Sequence, residues 1–438
     1  MLFERPKAGR RALILHVELE RKDNPDPDEF RELARSAELE VVDVVSAPRR
    51  APHPRYFVGT GKVDEIRMLL KARRADLLLV NHEVSPGQQR NLEQSLDCQT
   101  ISRTELILTI FAARARSHEG QLQVELAQLK HAQTRLVRGW THLDRQKGGI
   151  GLRGAGEKQI ELDQRMLGDR IKVHENKLVE VSKRRAQNRR GRDRRGTPTV
   201  ALVGYTNAGK STLFNALTNA AVYAEDQLFA TLDPTMRRVA IAGLNEVVLA
   251  DTVGFVSLLP HALVEAFKAT LEEVVYADLL LHVVDGADPL VLDRVHQVRD
   301  VLKEIGVANV AEILVINKQD LLESNRLEQV KIDLITELGQ DVVDVCAISA
   351  MQGKGLDDLE ASIGEQLGVV APHEVMLDPT DGKTRAWLYQ SGAVLSEITT
   401  EDGHLQLTLQ ADDYVINRLR NNPGVSLRES ATVPKISI

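Results

Sequence analysis

TVALVGYTNAGKS, residues 199–211, is the stretch whose reading decides the fold. Thr199 to Val203 is an apolar run of strand length, Gly204 to Ser211 fits G-x-x-x-x-G-K-[ST], and Thr212 to Leu217 opens a helix. Glycines at 204 and 209 let successive backbone N–H groups turn toward phosphate oxygens. Lys210 adds a cation, and the Ser211 hydroxyl is of the kind that ligates Mg²⁺. Strand, loop and helix in this order predict an α/β domain built round a phosphate-binding loop. The loop alone leaves the base open, because adenine and guanine nucleotides share it.

Segments downstream address the base. Val310 to Ile316 runs as a buried strand into Asn317-Lys318-Gln319-Asp320, where the Asp320 carboxylate can accept both the N1–H and the exocyclic amine of guanine. Adenine offers neither donor there, so a buried carboxylate would stay unpaired. Asn317 is expected to tie loops together, Lys318 to lay its stem over the ring, and Ser349-Ala350 to complete the base pocket. Val247 to Gly254 reads as a strand ending in D-x-x-G, with Asp251 for Mg²⁺ through water and the Gly254 N–H for the γ-phosphate. Thr231 is the candidate Mg²⁺-ligating threonine of a loop expected to order with GTP and loosen after hydrolysis, and Thr235 is its rival on spacing. Phe255 follows Gly254, and a phenyl ring cannot orient water by hydrogen bonding. Slow intrinsic hydrolysis is therefore expected until another group or a partner completes the site. Asn207 could hold a K⁺ ion there.

The candidate nucleotide contacts are Gly204, Tyr205, Thr206, Asn207, Ala208, Gly209, Lys210, Ser211, Phe229, Ala230, Thr231, Leu232, Asp233, Asp251, Thr252, Val253, Gly254, Asn317, Lys318, Gln319, Asp320, Ser349 and Ala350. Of these, Lys210, Thr231, Asp251 and Gly254 are expected to act in hydrolysis, and Ser211 and Thr231 to touch the metal. The ligands implied are GTP or GDP with Mg²⁺, and K⁺ as a further candidate.

Upstream the pattern changes. Leu122, Leu129, Leu136 and Leu143 recur every seven residues beside Leu126, Gln133 and Trp140. Ile160, Leu167, His174 and Val181 repeat the spacing beside Ile171 and Leu178, and the glycine-rich segment Gly148 to Gly156 lies between. Two helices folded back as an antiparallel hairpin would bury these stripes, with His174 packed in the seam. The net charge of the chain is −7, yet between Phe111 and Gly196 basic residues outnumber acidic ones by about two to one. Clustered cations gain by releasing counterions from nucleic acid; a solvated helical surface is the plainer alternative. Before the hairpin, the apolar runs Ala12 to Val17, Val41 to Val45 and Leu77 to Val80 alternate with amphipathic stretches, which predicts a small α/β domain with a largely parallel sheet. After Pro372, the alternating Leu405, Leu407 and Leu409 predict a strand, and Asp412 to Asn421 a helix, of a small α+β appendage. The expected domains are 1–112, 113–196, 197–368 and 369–438.

With the phosphate loop, LFATLDPT (228–235), DTVGF (251–255) and NKQD (317–320) placed, the chain resembles the HflX family of translational GTPases, relatives of the Obg group. The resemblance extends to HEGQLQVELAQL (118–129), TRLVRGWTHL (134–143) and RQKGGIGLRGAGE (145–157), which look like that family's helical hairpin and glycine-rich tip. It implies a GTPase whose hairpin inserts at the peptidyl-transferase region of the large ribosomal subunit and which, with GTP, splits stalled or idle ribosomes. Composition suggests polyanion binding; only the resemblance points to ribosomal RNA. Ala155 and Lys158 stand where the family commonly has proline and threonine, so a rigid turn is lost at the tip and a positive charge gained.

The partners expected on this reading are rRNA and proteins of the large ribosomal subunit, with no DNA and no membrane span, for a cytoplasmic monomer. The competing reading is a regulatory GTPase that grips a protein partner through the hairpin and never touches RNA. Two motifs are set aside. Gly149 to Gly154 spells G-x-G-x-x-G but follows a basic helix, and Gly59-Thr60-Gly61-Lys62 lacks the rest of a phosphate loop. Cys98 and Cys346 have no metal-ligand spacing, which fits a reducing compartment.

Overall fold

Predominantly apolar runs become strands covered on both faces. The first, β1 (Arg11–Leu19), is the clearest, with Ala12 to Val17 buried throughout. The computed structural model describes residues 10–20, 24–139, 155–193, 197–218, 228–241, 244–258, 271–307, 310–339, 342–367, 373–390, 393–400, 404–409, 419–420 and 425–429. With β2 (Glu40–Arg49), β3 (Leu77–Val80) and β4 (Gln99–Ser102), β1 forms a parallel sheet of order β2-β1-β3-β4. The helices between them start at side-chain caps. Asp26 accepts from the amides of Asp28 and Glu29 to begin α1 (Pro27–Ser36), whereas α2 (Thr60–Arg73) follows Gly59 without one. Capping boxes Ser85/Gln88 and Ser102/Glu105 open α3 (Pro86–Leu96) and α4 (Arg103–Arg114).

Next come α5 (His118–Gly139) and α6 (Ala155–Asp193), packed on each other. Leu126 and Leu129 meet Leu167 and Ile171, with Leu136 and Leu178 alongside, so the heptad stripes face each other as expected. His174 differs from expectation. Its Nδ1 lies 2.9 Å from the Arg170 carbonyl and its Nε2 2.8 Å from Glu125 of the facing helix, so it makes a polar bridge at the edge of the seam. Trp140, Leu143 and most of the glycine-rich tip, including Gly149 to Gly154, lie outside the described residues; Ala155 and Gly156 already belong to α6. On another face of α5, Val124 and Ala127 join the main core, which roots the hairpin in the body of the protein.

The third region is a six-stranded sheet of order β10-β9-β8-β5-β7-β6, made of β5 (Thr199–Val203), β6 (Thr235–Ile241), β7 (Leu244–Asp251), β8 (Leu279–Asp285), β9 (Ala311–Asn317) and β10 (Asp344–Ala347). From β10 to β7 every neighbouring pair is parallel. Between strands run α7 (Lys210–Thr218), the single turn α8 (Glu272–Val275), α9 (Val291–Glu304) and α10 (Ser324–Leu338). The carboxyl ends of such a sheet, beside the strand where chain order reverses, are where α/β proteins bind ligands.

The chain divides into two compact units, Met1–Arg237 with Val248–Gly355, and Arg238–Val247 with Leu356–Ile438. In the second, β11 (His373–Leu377), β12 (Val394–Thr399), β13 (Leu405–Leu409) and β14 (Val425–Glu429) pair antiparallel in the order β12-β13-β11-β14. Leu407 and Leu409 pack with Leu388 of a helix at Gly382–Gln390, so the α+β expectation holds; most of the helix expected at 412–421 lies outside the described residues. No helix among the described residues is long and apolar enough to cross a membrane.

Candidate active site

The phosphate loop leaves β5 through backbone that only particular residues adopt. Gly204 has φ +148°, and a Cβ there would lie 2.2 Å from the Val283 carbonyl oxygen; at Gly209, φ +93°, it would lie 2.1 Å from Asn317 Nδ2. Asn207 is left-handed at φ 61° and its side chain is exposed. Lys210 is buried and donates to the Gly204 carbonyl at 3.0 Å and the Tyr205 carbonyl at 2.8 Å, so its ammonium is held within the loop. Burial pulls the lysine down to about 8, against the charge of Asp251.

Three oxygen groups from three segments converge beside it. Ser211 Oγ is 2.8 Å from Thr231 Oγ1 and 2.8 Å from Asp251 Oδ2, and Thr231 Oγ1 is 3.0 Å from the same carboxylate oxygen. Thr231, and not Thr235 at the start of β6, therefore joins the cluster. Burial raises the Asp251 carboxyl, opposed by the hydrogen bonds of Ser211 and Thr231 and the charge of Lys210. The other carboxylate oxygen, Oδ1, is buried without a partner. An all-oxygen set with one unsatisfied carboxylate oxygen suits a hard divalent cation whose remaining ligands are water and phosphate. Gly254 lies against Thr206 and Lys210; a Cβ there would sit 3.1 Å from the lysine nitrogen.

Phe255 has a second use that its side chain hid. Its amide donates to the Gly204 carbonyl at 3.2 Å and its carbonyl accepts the Thr206 amide at 2.8 Å, a short parallel bridge between loop and D-x-x-G segment. The ring itself is in the core, as is Val253, while the Thr252 hydroxyl donates to the Leu202 carbonyl at 2.6 Å. At the base end, Asn317 Nδ2 donates to the Ala208 carbonyl at 2.9 Å and its Oδ1 accepts the Ala350 amide at 3.0 Å, so one amide joins all three loops. Lys318, left-handed at φ 63°, pairs with Asp285 at 2.7 Å; the Gln319 amide donates to the Ile348 carbonyl, and Ser349 is buried. Asp320 stands exposed, not buried, since it faces out from a one-turn 3-10 helix; burying its carboxylate is left to the base it would read.

Two of the residues expected at the nucleotide point elsewhere. Leu232 is buried in the main core, and the Asp233 carboxylate is taken by the start of α5, where three donors satisfy it. Phe229 packs edge-on against Phe111 of α4, centroids 4.6 Å apart, leaving backbone as its contact with the site; Ala230 lines the cleft next to Thr231.

A buried polar network under the loop went unnoticed in the sequence. Glu29 of α1 accepts from the Tyr205 hydroxyl, from Arg103 and, at 2.9 Å, from the Ser257 hydroxyl. Arg294 covers the Tyr205 ring at 4.4 Å and donates to its hydroxyl at 2.9 Å and to Asp26 at 2.7 Å. These charges come from amphipathic helices and strand ends with no motif, so nothing in their spacing marked them. Removing one partner of so buried a pair would strand the other, at a cost of about 3–5 kcal/mol.

Comparison with known proteins finds matches along most of the chain. Residues 25–112 fit the family described as GTP-binding GTPase N-terminal, 114–192 the GTP-binding GTPase middle region, 199–318 the 50S ribosome-binding GTPase and 335–426 the HflX C-terminal domain. GTPase HflX of Escherichia coli (strain K12) is 50% identical over 93% of this chain and 95% of its own. The chain belongs to the GTPase HflX family. GTPase HflX of Magnetococcus marinus is 45% identical over 96% of both chains, and that of Caldanaerobacter subterraneus subsp. tengcongensis 43% over 94% and 93%. A solved GTP-binding protein from Sulfolobus solfataricus, in complex with GDP, aligns over 82% of this chain and 98% of its own at 22% identity, TM-score 0.45. As an HflX-family GTPase the protein binds GTP and GDP and hydrolyses GTP to GDP and phosphate.

Proposed function

We propose that this GTPase acts on the large ribosomal subunit, using the basic hairpin against rRNA and ribosomal protein to split or recycle ribosomes in its GTP form. The single observation that carries the nucleotide half is the meeting of Ser211, Thr231 and Asp251 within 3.0 Å beside a buried Lys210. Ser211 and Thr231 would hold Mg²⁺ and Asp251 would reach it through water. When bound, the ion neutralises charge on the phosphates. Lys210 leaves two backbone carbonyls to meet the β and γ phosphates, the Gly254 amide senses the γ-phosphate, and Asn317, Lys318, Asp320, Ser349 and Ala350 take the base. Supporting the ribosomal half are the 50S ribosome-binding description of the matched GTPase family and the exposed cations Lys172, Lys177, Lys183 and Arg184 along α6.

The test is co-sedimentation of the purified protein with large subunits in GDP or a non-hydrolysable GTP analogue. Binding in the analogue that weakens steeply with salt is expected; equal, salt-insensitive binding in both states would assign the hairpin to a protein partner. Since Phe255 is buried, large subunits should also speed turnover, and identical rates with and without them would count against a completed site. Asn207, exposed in the loop, would hold K⁺; equal rates in K⁺ and Na⁺ buffers would remove that ion.

A further inference from the structure

Asp233 lies two residues beyond Thr231, and its carboxylate does what a helix-capping residue does, for a helix more than a hundred residues away in the chain. Oδ2 accepts the backbone amides of Arg116 and Ser117 at 2.9 and 2.7 Å, and Oδ1 accepts the Ser117 hydroxyl at 2.5 Å. Ser117 precedes α5, and its oxygen accepts the Gly120 amide at 2.9 Å, so its hydroxyl relays between the helix end and Asp233. An anion at this end also meets the positive pole of the helix dipole. Gly120 leaves room for the approach: a Cβ there would stand 2.2 Å from Asp233 Oδ1. The same root is tied to α6, where Arg185 pairs with Glu119 at 2.8 Å, and Ser182 donates to Glu272 at 3.0 Å.

We propose that Asp233 is a clasp joining the nucleotide loop to the root of the basic hairpin, so that the state of Thr231 is passed to α5. The link rests on the reading above that Thr231 belongs to the nucleotide site. Two residues of chain span at most about 7 Å, so Thr231 and Asp233 cannot shift independently by more than that. With a γ-phosphate and metal present, Thr231 stays with Ser211 and Asp251, and Asp233 stays on the helix end. After hydrolysis Thr231 loses that partner, Asp233 withdraws, and the first amides of α5 lose a charged acceptor. The hairpin is then held at its root in one nucleotide state and released in the other.

Hydrogen exchange in a peptide covering residues 115–121 of the full chain reads this directly, with occupancy by a fluorescent guanine nucleotide measured in the same samples. Exchange should be about tenfold slower with a non-hydrolysable GTP analogue and Mg²⁺ than with GDP, the scale of one charge-assisted hydrogen bond. Gly120→Ala, whose added methyl displaces the Asp233 carboxylate from the helix end, should exchange fast in both states, and by linkage its preference for the analogue over GDP should fall by up to about tenfold while its GDP affinity stays within about twofold of the parent. Asp233→Ala should abolish the same difference, which keeps the test open if Gly120→Ala folds poorly. Equal protection in GDP and analogue at full occupancy, or nucleotide-dependent protection retained in either variant, would overturn the clasp. A chain that bound neither nucleotide would overturn the functional reading itself, and the clasp with it.

Discussion

Gly61-Lys62 and Gly209-Lys210 both lie in strand-to-helix turns, and only the second has the geometry of a phosphate cradle. Gly59-Thr60-Gly61-Lys62 is extended at Gly59 (φ −70°, ψ 158°), enters α2 at once, and pairs Lys62 with Glu65 one turn on at 2.9 Å. Residues 204–211 instead pass through positive φ at 204, 207 and 209, bury the lysine, and point it back at the loop's own carbonyls. The difference teaches that a phosphate site is made by backbone turned so that N–H groups converge, with a desolvated cation behind them. A surface lysine neutralised along its own helix supplies neither.

Matched glycine changes break or sharpen that contrast. Gly209→Ala faces both a left-handed backbone and Asn317 at 2.1 Å, so guanine nucleotide affinity should fall by at least about a hundredfold, measured by calorimetry. Between the extremes stands pH. Phosphates favour the protonated Lys210, whose amine loses its proton near pH 8 in the free protein. Below that, affinity should be flat; above it each binding event takes up a proton, and Kd should rise by up to about tenfold per pH unit. A flat profile from pH 7 to 9 would mean that the lysine is less desolvated than its burial implies. Smallest of all should be Gly61→Ala, where nothing lies within 4 Å: stability should change by about 1 kcal/mol or less, with nucleotide binding untouched. A loss of binding there would revive the first turn as a nucleotide site.

Much of the fold and of the site is legible in the sequence. Largely apolar runs marked β1, β3, β5 and β9, with His16 and Glu312 as buried polar exceptions, because parallel strands are buried on both faces, and the leucine heptads marked the α5–α6 seam because each stripe needs a partner. Gly204, Lys210, Ser211, Asp251 and Asn317 were readable because their backbone and chemistry admit few alternatives. What could not be read depends on pairings across the fold. Leu232 and Asp233 sit inside a recognisable string, yet one is claimed by the core and the other by a helix end. His174 has an apolar-stripe position and a polar partner, Glu125, supplied by the facing helix. Glu29, Tyr205, Arg103 and Arg294 meet only when the first sheet packs beside the phosphate loop, and no spacing encodes that.

That the phosphate loop serves a guanine nucleotide chosen by one carboxylate is tested most directly by exchanging that carboxylate. In Asp320→Asn the side chain can no longer accept two hydrogen bonds from N1–H and the exocyclic amine, but its amide can pair with xanthine, which offers one donor and one acceptor on that edge. Competition binding in Mg²⁺ should show GTP affinity lower by about a hundredfold and XTP preferred over GTP. An unchanged ratio of GTP to XTP affinity would contradict it.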